Sequence, residues 1–180
     1  MVPIIVYGKP DDNRFVRELT RILSPLGSCL HLEKNHLLIP SEKAQLTFLL
    51  YETPVGCTAE GGKGILILKQ DVSPLARLSI PLNYPAIVDS GCENGLKLLQ
   101  RLKLPAVTCG LSLRDTLSLS SISENSACIC LQRDLENLQG QISEAGEFPV
   151  SFGKPVSQYA LMAGCAVLLL SGSRIYEMTI

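Results

Sequence analysis

The sequence predicts an α/β domain: a mostly parallel sheet flanked by helices, Rossmann-like with P-loop-type element order, and extended by antiparallel strands toward its C-terminus. Three observations point there. Short apolar runs at Val2–Tyr7, Gly64–Leu68, Ala86–Val88 and Pro105–Cys109 read as strands, and Gly64–Leu68 is nearly all apolar, as parallel strands covered on both faces tend to be. Amphipathic segments of helical period alternate with these runs as far as residue 110. After residue 110 the texture changes to short strand-like stretches separated by turn residues.

Val2–Tyr7 leads into Gly8-Lys9-Pro10-Asp11-Asp12, where either aspartate can cap a helix running to Leu23. Phe15, Val16, Leu19, Ile22 and Leu23 form its apolar stripe, and Pro25 and Gly27 stop it. Cys29–Leu32 and Leu37–Ile39 read as weak strands around a turn at Lys34-Asn35. Leu46–Tyr51 reads as a buried strand, and Thr53–Lys63 as a loop. Glu93–Leu102 has the pattern of a compact amphipathic helix, with Ser90 or Cys92 as cap and Glu93 complementing the helix dipole. Thr116–Ile122, Ala127–Gln132 and Phe148–Phe152 are expected as antiparallel strands, with turns at Gln139-Gly140 and Ala145-Gly146. A last helix is expected over Val156–Leu170, with Ala160, Ala163 and Gly164 suited to close packing on the sheet. There is no internal repeat, and a single domain over residues 1–180 accommodates every element.

Sixteen basic residues against seventeen acidic ones leave a net charge of −1, with no basic stripe or polybasic patch. The expectation is therefore no nucleic-acid partner and no membrane surface. The N-terminus reads as a buried strand rather than a signal peptide. The longest apolar run, Tyr159–Leu170, falls short of the about 20 residues a membrane span needs. Seven cysteines without a CxxC pair, and only two histidines, His31 and His36, give no zinc pattern. They read as reduced structural thiols in a cytoplasmic protein, with Cys128 and Cys130 on one strand face. The two histidines read as surface residues of a turn.

Four places could carry chemistry. The loop at Gly8 has the strand–loop–helix frame of a phosphate cradle, but Pro10 removes an N–H donor and Asp11 and Asp12 set two negative charges against a polyphosphate. The strand-end set Asp89, Ser90, Glu93 and Asn94 stands where an open α/β sheet binds ligands, and equally reads as a helix cap. Glu60-Gly61-Gly62-Lys63-Gly64 is glycine-rich but precedes a strand, the wrong order for aiming a helix at phosphate. Cys109 and Ser112 have no histidine nearby in sequence to activate them.

Several segments together resemble the central, ATP-binding domain of the Mur ligase family, which joins amino acids to a carboxylate through an acyl phosphate. Ile4-Ile5-Val6-Tyr7-Gly8 stands where the family has its first strand and phosphate loop. Leu50-Tyr51-Glu52-Thr53 is similar to the strand ending in a magnesium-binding glutamate, and Val88-Asp89-Ser90-Gly91 to the Asn-x-Asp turn. Val107-Thr108-Cys109-Gly110 is similar to the Val-Thr-Phe-Gly strand end, and Gly153 followed by Ala160-Leu161-Met162-Ala163 to the element that opens the family's last helix. The resemblance implies cofactor-site positions at Gly8, Lys9, Glu52 and Asp89. It departs from the family at Asp12, in the place of the phosphate-loop lysine, and at Asn13, in the place of the next hydroxyl residue. Gly91, Pro155, Val156 and Tyr159 replace further polar residues. Asp71 stands near the family's Asp-His pair, with Val72 replacing the histidine. The resemblance thus implies a stand-alone, degenerate, non-catalytic domain with no catalytic residue, no resident metal and no cofactor. Such a domain acts through protein contacts, with an unknown partner or by self-association. The alternative is a nucleotide or small-molecule binder, or a feeble enzyme, using the strand-end groove near Gly8, Glu52 and Asp89. A chance likeness between short apolar strands is the third reading.

Overall fold

The computed structural model describes residues 1–9, 13–33, 36–38, 46–173, 175 and 178–179. In chain order these hold β1 (Val2–Tyr7), α1 (Asn13–Leu23), β2 (Ser28–Glu33), β3 (His36–Leu38), β4 (Leu46–Thr53), β5 (Ile65–Leu68), β6 (Ala86–Asp89), α2 (Glu93–Leu102) and β7 (Ala106–Cys109). Then come β8 (Leu117–Ile122), β9 (Ser126–Leu131), β10 (Leu135–Glu136), β11 (Ile142–Ser143), β12 (Gly146–Ser151), α3 (Gln158–Leu170) and β13 (Met178–Thr179). Eleven strands make one sheet in the order β13-β12-β9-β8-β7-β6-β5-β1-β4-β2-β3, and β10 and β11 form a separate hairpin. From β2 through β4, β1, β5, β6 and β7 to β8 the pairing is parallel throughout. This is the α/β class that the alternating pattern predicts.

Each element has a sequence cause. The stripe Phe15, Val16, Leu19, Ile22 and Leu23 is buried, and a single 3₁₀ turn over Ser24–Leu26 with Pro25 ends the helix. The Cys92 thiol caps α2, accepting from the Gly95 N–H at 3.4 Å, and Lys103 closes the helix in the left-handed region at φ 55°. β5 is buried at every residue because helix α3 lies on one face while the segment after the strand covers the other. Buried residues of α1 and α3 form one core with Val6, Phe48, Ile67, Ile87 and Val107. Leu98 and Leu99 of α2, with Val72, Leu78 and Tyr84, cover the opposite face over Ile5, Leu66 and Val88.

Some expectations need correction. β8 runs parallel to β7 and only its pairing with β9 is antiparallel, as is that of β9 with β12. Of the turn expected at Ala145-Gly146, Ala145 bends the chain while Gly146 already opens β12. β4 extends two residues past Tyr51, so Glu52 and Thr53 belong to the strand. The short strands β10, β11 and β13 carry too few residues to show a period. The helix caps expected at Asp11 and Asp12, the turn at Lys34-Asn35 and the strand end at Ile39 lie outside the described residues.

Helix α3 is buried from Tyr159 to Leu170, with no polar side, which is the pattern of a core helix. Its Gly164 meets α1 rather than the sheet: a Cβ there would lie 2.5 Å from Ile22 Cγ2. Isoleucine is stiff at its branched carbon, so the clash cannot be relieved by a rotamer change. Gly164→Val is expected to cost about 2 kcal/mol, the scale of core overpacking, read as a lower midpoint in urea denaturation at unchanged slope. An unchanged midpoint would mean that the α1–α3 contact is looser than described.

Candidate functional site: the strand ends of the parallel sheet

Because the central strands are parallel, their carboxyl ends share one edge of the sheet, the usual ligand side of an open α/β fold. Gly8 follows β1, Glu52 and Thr53 end β4, Lys69 follows β5, Asp89 ends β6 and Gly110 follows β7. The sequence-derived positions Gly8, Lys9, Glu52 and Asp89 are thus brought to one edge, though each is differently engaged.

Glu52 shares the sheet face of Val6 and Leu50, beneath α1 and α3. Its side chain is 1% exposed and that of Lys69 is 3% exposed. The Lys69 ammonium donates to Glu52 Oε1, and the other oxygen, Oε2, lies 3.2 Å from His31 Nε2 on β2. Burial by itself raises the Glu52 carboxyl, but the bonds to His31 and Lys69 outweigh it and hold the group below its ordinary range. The same ammonium donates to the Lys9 carbonyl at 3.0 Å. To reach it, the Lys69 side chain crosses Gly8 so closely that a Cβ on Gly8 would lie 2.5 Å from Lys69 Cβ. Lys9 turns outward to an exposed ion pair with Asp71 at 2.6 Å, a contact of little energetic weight in water.

Next along the edge, Tyr159 of α3 is buried with its ring stacked on Phe15 at 5.2 Å. Its hydroxyl donates to the Leu68 carbonyl, with the Ile87 carbonyl at 3.4 Å. Burial pushes the phenol well above its usual value, so the group stays a neutral donor. Asp89 is tied locally. Its Oδ1 accepts from the Gly91 N–H at 2.8 Å and its Oδ2 from Gln70 Nε2 at 2.5 Å, the pattern of a turn feeding α2. Cys109 is fully buried and its thiol is pushed well above the ordinary range, by burial first and then by Cys165, which leaves no thiolate nucleophile. Lys63 of the glycine-rich stretch sits before β5, at the opposite end of the strand, and donates to the Leu138 carbonyl at 2.7 Å.

Sequence reading therefore missed Lys69, the role of His31 and the position of Tyr159. His31 is a partner of the buried carboxylate rather than a free surface residue. The one available signal was a lysine directly after four buried strand residues, since an uncompensated charge there is costly. Among the described residues no group of three or more His, Cys, Asp or Glu side chains is arranged to hold a metal ion. Pro10, Asp11 and Asp12 lie outside the described residues.

A second buried carboxylate organises the same end of the molecule. Glu18 of α1 accepts from the Ser157 N–H at 3.0 Å and the Ser157 hydroxyl at 2.5 Å, and from Arg14 Nε at 2.8 Å. It thereby satisfies the N-terminus of α3 from another helix, where Ser157 makes no side-chain cap of its own. Burial raises this carboxyl, but the Ser157 and Arg14 bonds outweigh it and leave the group below its usual value. A lowered folded value means that the stabilisation is present above the unfolded value of about 4.3 and fades as pH falls through the folded one. Glu18→Gln is expected to cost about 1–2 kcal/mol at neutral pH, with the gap to wild type closing below about pH 4 in urea titrations. A gap independent of pH would rule out the charged cap.

No protein-family profile matches the chain, and no curated protein does. Among solved structures the chain is similar to MurF from Acinetobacter baumannii, with TM-score 0.60 and 13% identity over 97% of this chain and 43% of that one. It is similar to the UDP-N-acetylmuramate:L-alanyl-gamma-D-glutamyl-meso-diaminopimelate ligase from Neisseria meningitides, with TM-score 0.58 and 10% identity over 97% of this chain and 63% of that one. MurF ligase from Thermotoga maritima, a structure in complex with ADP, matches with TM-score 0.56 and 13% identity over 97% of this chain and 46% of that one. The chain therefore spans less than two thirds of each of these proteins. At such identities the likeness concerns architecture alone: this chain has a Mur-ligase-like α/β fold.

Proposed function

We propose that the chain is a non-catalytic Mur-ligase-like domain with a degenerate phosphate loop, acting through protein contacts by self-association or with a separate partner. One observation carries this reading. Among the described residues the polar groups at the strand ends are engaged by the chain's own side chains, with the Lys69 ammonium on Glu52, the Tyr159 hydroxyl on the Leu68 carbonyl and the Tyr159 ring stacked on Phe15 of α1. The ligases it resembles need space there for a nucleotide, and the one retained family carboxylate, Glu52, has both oxygens engaged. Asp12 and Asn13, in place of the loop lysine and hydroxyl residue, add to the same reading.

Support for protein contacts comes from apolar surface outside the crevice. Val55, Leu75, Leu111 and Leu113 are 67–83% exposed on the connections after β4, β5 and β7. Leu30, Leu32, Leu49 and Tyr51 share the face of β2 and β4 opposite α1, and Tyr51 is 38% exposed. Among the described residues no helix is long and apolar enough to cross a membrane. The second reading, a nucleotide or small-molecule site, draws on the gathering of Gly8, Glu52 and Asp89 at one sheet edge.

Thermal denaturation with ATP or ADP, with and without magnesium, separates the two. A nucleotide held with a Kd of about 0.1 mM would raise the melting temperature by about 4 °C at about 1 mM. The expected shift is nil, and a shift abolished by Glu52→Ala would establish the binding site instead. Light scattering on the purified protein and affinity capture from its native cells test the other half. A strict monomer that captures nothing would remove the contact function.

A further inference from the structure

We propose that Glu52 and the Lys9 carbonyl form a primary-ammonium site, and that Lys69 is its tethered occupant. The proposal rests on the non-catalytic reading above and says what fills the place a ligand's cation would take. The pocket has the parts that recognition of an ammonium requires. A buried carboxylate supplies the charge, and a backbone carbonyl 3.0 Å from Nζ supplies a second acceptor. His31 Nε2, 3.2 Å from the far carboxylate oxygen, fixes the orientation of Glu52. Gly8 removes the one Cβ that would close the path of the side chain. The site lies at the carboxyl ends of β1, β4 and β5, so Lys9, just after β1, is held by the chain's own cation.

The consequence is specific. Lys69→Ala deletes Cγ, Cδ, Cε and Nζ, and n-propylammonium has those same four heavy atoms. The cation should enter the space left behind, donate to Glu52 and the Lys9 carbonyl, and restore stability. Neither n-propanol, which has the carbon chain without the charge, nor tetramethylammonium, which has the charge without an N–H donor, should do so.

The test is thermal denaturation of wild type, Lys69→Ala and Lys69→Ala/Glu52→Gln with each of the three compounds. At saturating concentration n-propylammonium is expected to raise the melting temperature of Lys69→Ala by about 3 °C over n-propanol, and to leave the other two proteins unmoved. Equal effects of the three compounds, or a rise that survives Glu52→Gln, would overturn the proposal.

Lys69→Met, which keeps the packing and drops the charge, covers the case in which the alanine variant does not fold. It should melt roughly 10 °C below wild type, as expected when one partner of a buried pair is removed. Adding Glu52→Gln should then recover part of the loss, whereas a further loss would mean that Lys69 is not the counter-ion of Glu52. Nucleotide stabilisation of wild type would defeat the non-catalytic reading. The alkylammonium experiment reads the ammonium site separately.

Discussion

A helix with no polar face has to be covered on all sides, and α3 sets the layout of this molecule for that reason. Its residues from Tyr159 to Leu170 are buried, so α1 must lie along one flank and the sheet beneath it. The parallel strands alone do not span it. Leu117, Ala127, Ile129, Leu131, Phe148 and Val150 of β8, β9 and β12 belong to the same core as α3. The antiparallel extension is thus the part of the sheet that covers the far side of this helix. Gly164 brings α1 close, and Glu18 satisfies the helix start, so each side of α3 has a specific partner.

The charged groups near this core follow the same logic of compensation. A carboxylate removed from water is tolerated where charge and hydrogen bonds replace its hydration. Glu52 has Lys69 and His31, and Glu18 has Arg14 and Ser157. Tyr159 solves a related problem for the backbone, since its hydroxyl reaches the Leu68 carbonyl at the end of β5 and the Ile87 carbonyl within β6. The strand ends are therefore satisfied from within the chain.

How much of this could be read in the sequence depended on the range of each interaction. Glu93–Leu102 was legible to the residue because its cap, stripe and stop are all local. The parallel order was legible because β5 and β6 are short, apolar and followed by turn residues. The parallel pairing of β8 with β7 was not, since a short strand carries no mark of its neighbour's direction. At the site, the resemblance brought Glu52 and Gly8 forward, but Lys69 stands 17 residues from Glu52 and meets it only through the order β4-β1-β5. Tyr159 could be noted as a substitution in a family motif. That it bonds to strands more than 70 residues away is a tertiary fact.

The close passage of Lys69 over Gly8 also ties two distant positions together as the sequence diverges. A side chain at position 8 would meet the Lys69 Cβ, which every residue but glycine carries, so it would call for glycine at position 69 and leave Glu52 without its nearest positive charge. Positions 8, 52 and 69 should therefore change together or not at all. A related chain in which Lys69 alone had shortened would leave Glu52 facing the space that the lysine side chain now takes.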